Sequence, residues 1–292
     1  MALTGVIAIM VFGAFITVIA EAVILSNLFS GTHTSQATAR ETNMIQAINK
    51  FESAKRSLSQ ALKYSFYQAS NDVLLNGGYT DISLADSYSC IPYYKIYSAE
   101  EIPEFDSNVE DMTVFYFSEY SDALEDEEIS IPEYTIQIGS RVEAEPKEPL
   151  MLLREDKLKI WDSSILTVRP DSRYQKIRSI AEGIVSNNYI DLAVYDSVDY
   201  ASFKTRLEKV EEDIEEDFSI SHMTLKLSSE NLGIDETNFV ARVLVGLESE
   251  DTYPVYNFDL GSNERAPLTL KYYLLVSKNP ESEITPPMNS CR

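Results

Sequence analysis

The beginning of the chain constrains it most. Residues 2–29, ALTGVIAIMVFGAFITVIAEAVILSNLF, contain a single charged residue, Glu21. About 20 predominantly apolar residues in a helix cross a bilayer core, and an extended strand could not satisfy its backbone there. The sequence therefore predicts a transmembrane helix over residues 1–30, with the lipid bilayer as its partner. No Lys or Arg precedes the apolar run, and the run is longer than a signal-peptide core of about 7–15 residues. Two alternatives stay open: an uncleaved anchor, or a mature N-terminus from which a basic leader has been removed. Gly5 and Gly13 lie eight residues apart, roughly on one helix face, where small residues let helices approach closely. Glu21 either reaches the headgroups or pairs with a positive group on a neighbouring subunit.

Ser30 to Thr34 form a polar break, and helical periodicity resumes. Met44, Ile48, Phe51, Leu58, Leu62, Ala69 and Val73 recur at spacings of three, four or seven. Gly77-Gly78 is a strong stop, because glycine accepts the left-handed conformation that closes a helix. Residues 31–78 thus read as a long amphipathic helix, about 60 Å from end to end. It either carries the remaining chain outward as a stalk or packs on its own sheet.

Residues 79–292 read as an acidic head. Between residues 99 and 148 sixteen acidic side chains face only Arg141 and Lys147, more than half of the chain's net charge of −23. Met112 to Phe117 and Tyr134 to Ile138 look like short strands between prolines, and Glu125 to Glu128 like a solvated loop. Leu150 to Leu153 and Leu158 to Trp161 read as a hairpin. Helices are expected after Ser172, a candidate N-cap, and after Asp199, where Phe203, Leu207, Val210, Ile214 and Phe218 mark one face. Three alternating strands follow, around Met223–Leu227, Ala241–Leu247 and Leu268–Val276, too closely spaced for helical crossovers and so mainly antiparallel. The expected fold class is α+β: a transmembrane helix continuing into a long amphipathic helix, then a head with a mainly antiparallel sheet and two shorter helices.

The acidity opposes a nucleic-acid footprint, which requires clustered Lys and Arg. No phosphate-loop, dinucleotide, zinc-protease or nucleophile-elbow motif occurs. His222 lies near Ser219 and Ser221 without an orienting acid in the motif, and His33 is isolated. The acidic run lacks calcium-loop spacing. The chain reads as non-enzymatic, with no cofactor and no metal. Two cysteines, Cys90 and Cys291, permit one disulfide tying back the C-terminus; two unrelated thiols are the alternative.

An apolar N-terminal helix without a basic flank, an acidic residue within it, a long amphipathic continuation and a β-rich head together resemble the type IV pilin family. The stretch ALKYSFYQASNDV, residues 61–73, followed by Gly77-Gly78-Tyr79, is similar to archaeal membrane-anchored surface proteins. The likeness covers about the first 80 residues. It implies a cell-surface, extracellular subunit that self-associates into a filament or joins pilus or secretion components, with Gly5, Gly13 and Glu21 in the assembly interface. The chain has Gly5 where the family places its glutamate. The other reading is a bitopic protein presenting an acidic extracellular receptor domain.

Overall fold

The computed structural model describes residues 36–124, 127–154, 158–169, 172–233, 236–257 and 262–278. They are α+β, with strands dominating after residue 79. The expected transmembrane helix is corrected: among the described residues no helix is long and apolar enough to cross a membrane, so a membrane-protein assignment is not retained. Residues 2–29, on which that expectation rested, lie outside the described residues.

Helix α1, Gln36–Leu75, forms where the sequence places no Gly or Pro for forty residues. From Phe51 onward it is core rather than stalk: Phe51, Leu58, Leu62, Phe66, Ala69, Val73 and Leu74 are all buried. It ends in a Schellman closure. Gly78 N–H donates to Val73 O (2.7 Å) and Gly77 N–H to Leu74 O (3.0 Å), with φ of 87° and 63° at the two glycines.

The chain forms two compact units. The first takes the described residues up to Ala69 and those of Glu110–Pro170 and Pro254–Glu264; the second takes those of Ser70–Val109, Asp171–Tyr253 and Arg265–Arg292. Helix α2, Phe105–Asp122, contributes to both. It corrects the strand expected at Met112 to Phe117. Phe105, Val109, Thr113, Tyr116 and Phe117 are buried, at helical spacing.

In the first unit, β4 (Ile129–Ser130), β7 (Leu150–Arg154) and β8 (Leu158–Asp162) form one antiparallel sheet in the order β4-β7-β8. A second sheet joins β5 (Tyr134–Ile138), β6 (Val142–Pro146) and β9 (Leu166–Val168). Gln68, buried on α1, braces this unit: its Oε1 accepts from Tyr256 N–H at 2.6 Å, and its Nε2 faces Tyr256 O at 3.5 Å. Lys50 Nζ bridges to Glu128 (2.8 Å), which also meets Arg154.

Lys55 pairs with Asp162. The Lys55 hydrogen bond, helped by Ser164, lowers the Asp162 carboxyl from 3.8 to about 2. A depressed carboxyl adds stability that is present above its unfolded value and is lost as pH falls through its folded one. Asp162→Asn should therefore destabilise the protein by about 1 kcal/mol at pH 6, after discounting the shift for partial exposure. The deficit should vanish between pH 4 and pH 2, as read from urea midpoints at each pH.

The third sheet belongs mainly to the second unit: β1 (Ser87–Tyr88), β2 (Ile91–Ile96), β12 (Ser262–Ser277), β11 (Val240–Asn257) and β10 (Met223–Asn231) lie side by side in that order, and β3 (Ala99–Glu100) pairs with β2. The β10–β11 pairing is antiparallel, with Leu225 opposite Leu247. The β2–β12 pairing is parallel, Tyr273 opposite Tyr93, with an irregularity at Tyr273/Leu274. Tyr94 and Tyr272 stack at 4.0 Å in the core, and Tyr94 Oη donates to Gly77 O at 2.7 Å.

Helices α3 (Tyr174–Ser186), α4 (Tyr189–Tyr195) and α5 (Tyr200–Asp217) complete this unit. Among the described residues four α-helices therefore follow α1, where two were expected. Asp199 caps α5 through a capping box with Ser202. Arg173, not Ser172, is the N-cap of α3, although Ser172 Oγ accepts from Tyr174 N–H at 3.2 Å. The outer edge of β10 is guarded: Glu211 on α5 accepts from Leu227 N–H at 2.7 Å.

Candidate functional site

Gly5, Gly13 and Glu21 lie outside the described residues. Cys90 follows β1 in a left-handed conformation (φ 59°) and is disulfide-bonded; Cys291, the other cysteine of the chain, lies outside the described residues. His222 is exposed, with Nδ1 3.4 Å from Glu250 Oε2, as a surface pair rather than part of a nucleophilic constellation. Of the acidic run, Glu128 is occupied by Lys50 and Arg154, and residues 125–126 lie outside the described residues. Among the described residues no group of three or more His, Cys, Asp or Glu is placed to hold a metal.

The second unit does build a cleft of about 460 Å³ between β2, the end of β12 and α4. At its base is Lys95, a lone cation in an apolar strand between Tyr94 and Ile96. Its side chain is nearly buried, and Nζ donates to Asp191 Oδ2 (2.7 Å), Asn188 Oδ1 (3.0 Å) and Glu100 Oε1 (3.3 Å). All three ammonium donors are thereby used. Burial pulls the Lys95 pKa down, and the bonds to Asp191 and Glu100 more than offset this, holding the group above the ordinary lysine range. Asn188 is set by its left-handed φ of 56° at the turn between α3 and α4.

Tyr97, Ser98 and Ser277 complete the wall of the cleft, and Leu192 and Tyr195 form its rim, both largely exposed. The saturated ammonium fixes the floor. Asp191, Ser98 and the apolar rim face the cleft beside it. The ammonium is held charged by its three acceptors. Sequence reading did not find the site, because Asn188 and Asp191 lie 93 and 96 residues from Lys95. The one local signal was a lysine inside the apolar run IPYYKI.

Compared with known proteins, the chain matches no family model, no curated protein and no solved structure.

Proposed function

We propose that this protein is a structural and interaction subunit, non-enzymatic and pilin-like in plan, that assembles with copies of itself or with pilus or secretion components through its N-terminal end. One observation carries the reading. In the N-terminal half of α1, Met44, Ile45 and Ile48 are 52%, 43% and 41% exposed and form a single apolar stripe, whereas Phe51, Leu58, Leu62, Phe66, Ala69 and Val73 of the same helix are buried. An apolar helix face left open in this way is suited to another helix. In sequence it follows the apolar run of residues 2–29. The disulfide at Cys90 supports an oxidising, extracellular setting for the head, and the net charge of −23 supports a partner other than nucleic acid.

The test compares the full chain with its Met44→Ser/Ile45→Ser/Ile48→Ser variant by sedimentation velocity in mild detergent. Burying one such side chain contributes about 1.5–3 kcal/mol, so the triple change should weaken assembly at least about a hundredfold while leaving far-UV circular dichroism unchanged. Equal assembly by the two chains would defeat the proposal.

The Lys95 cleft favours a second reading, an acidic extracellular binding or receptor module. In that case the triple variant assembles and behaves as the parent does, and Leu192→Asp or Tyr195→Ala abolishes ligand capture.

A further inference from the structure

Strand β8 ends its sheet, and among the described residues no strand lies beyond it. The direction of its free hydrogen-bonding groups follows from its neighbours. Leu153 N–H donates to Glu128 O at 2.8 Å, so the backbone groups of Leu153 face β4. Successive residues of a strand alternate, so Leu152 faces β8 and bonds its register partner Ile160. Ile160 therefore faces inward to β7, and the N–H and C=O groups of Lys159 and Trp161 point out of the sheet edge.

The side chains on this edge are unusual for a surface. Trp161 is 64% exposed and Leu153 47%, and Lys159 is exposed beside them. Register places Leu153 opposite Lys159 and Met151 opposite Trp161, so all four share the outward face. Natural proteins blunt or cover such edges. The edge of β10 is covered by α5 and Glu211, and β4, at the other end of the β8 sheet, is two residues long.

We infer that the β8 edge is a docking surface for β8 of a second copy of this chain, paired antiparallel about a two-fold axis through Ile160. The strand is self-complementary in this register. Lys159 falls opposite the partner copy's tryptophan, and Trp161 opposite its lysine. Both are hydrogen-bonded pairs, with Cα atoms about 5.5 Å apart, and each exchanges two N–H···O bonds. The four outward groups of each strand are thereby satisfied. Each ammonium lies against an indole face, the strongest aromatic cation partner. The axis makes the interface isologous, and it joins two three-stranded sheets into one of six strands. An unrelated strand would need its own cation and aromatic residue at this spacing, whereas a second copy supplies both. Asp162 does not oppose the approach, because Lys55 neutralises it. This pairing does not depend on the N-terminal assembly proposed above.

The test uses the full chain. Ile160 meets its own copy at a non-hydrogen-bonded position, with Cα atoms about 4.5 Å apart, within disulfide reach. Under mild oxidation Ile160→Cys should give a covalent dimer in several-fold higher yield than Ser140→Cys, which lies on an exposed turn. Trp161 is the sole tryptophan, so its emission should shift to the blue and resist iodide quenching as protein concentration rises. Lys159→Pro removes only an outward N–H, and Lys159→Glu places an anion against the indole. Introduced into the Ile160→Cys chain, either should abolish the cross-link, and alone either should abolish the emission shift. Assembly through the N-terminal end alone leaves Ile160→Cys no more cross-linked than Ser140→Cys and the emission constant with concentration; that result overturns the inference, as does full cross-linking in both Lys159 variants.

Discussion

Gly78→Ala is expected to lower the stability of the protein by about 2–5 kcal/mol, from a left-handed backbone penalty of about 1–2 kcal/mol and an overpacking cost of about 1–3 kcal/mol. The backbone at Gly78 has φ of 87°, a region that favours glycine. A Cβ there would lie 2.5 Å from Pro103 Cγ, 2.7 Å from Phe105 Cε1 and 2.9 Å from Tyr94 Oη. None of these atoms is the tip of a flexible chain: a pyrrolidine precedes α2, a buried phenyl ring begins it, and the phenol is bonded to Gly77 O. Relaxation would also disturb Gly78 O, which accepts from Asn108 Nδ2 at 2.8 Å. Gly139→Ala is the control. Nothing lies within 4 Å of its added methyl, so its urea midpoint should stay within about 0.5 kcal/mol of the parent's. Similar midpoints for the two variants would show that the closure of α1 tolerates a side chain.

Arg242→Ala should cost about 2–4 kcal/mol. The Arg242 side chain is 6% exposed in the second unit, with its guanidinium carbon 3.7 Å from the Tyr88 ring centroid and 5.1 Å from that of Tyr273. Nη1 lies 3.4 Å from Tyr93 Oη, and Nη2 donates to Glu230 Oε2 at 2.5 Å. Deletion leaves a void among three tyrosines that belong to three different strands. Arg242→Lys should recover little, because an ammonium cannot stack as a plane or reach the phenol and the carboxylate together. Glu230→Gln should cost under about 1 kcal/mol, since its carboxylate is 61% exposed. Chemical denaturation of the three variants checks the order. A Glu230→Gln loss as large as that of Arg242→Ala would mean that the ion pair, and not the aromatic enclosure, holds the arginine.

Where an element answers to its own local pattern, the sequence showed it. The four-three-four-four stripe after Asp199 marks α5, alternation marks β10 to β12, and two apolar runs about a charged turn mark β7 and β8. Helix α2 was misread because Val114, Phe115, Tyr116 and Phe117 have strand-forming side chains, while its helical stripe is completed by Thr113, a polar residue that is nonetheless buried. The parallel partnership of β2 with β12 depends on residues 180 positions apart, Tyr93 and Tyr273, and no local periodicity encodes that choice. The Lys95 cleft was illegible for the same reason: its charge cluster exists only after β2, β3, the turn after α3 and α4 have come together. The exposed stripe at Met44, Ile45 and Ile48 looks in sequence like the buried one that continues it, and only the fold separates the two.

Four of the five boundaries between the two compact units fall inside α1, α2, β11 and β12. Heredity shuffles proteins as contiguous stretches, and each of these units is three separated stretches threaded through the other's. No single crossover, insertion or truncation can pass one unit intact to another gene. The pair has had to diverge as one inherited object, and a substitution near Ala69, where one helix serves both, is subject to selection from both at once.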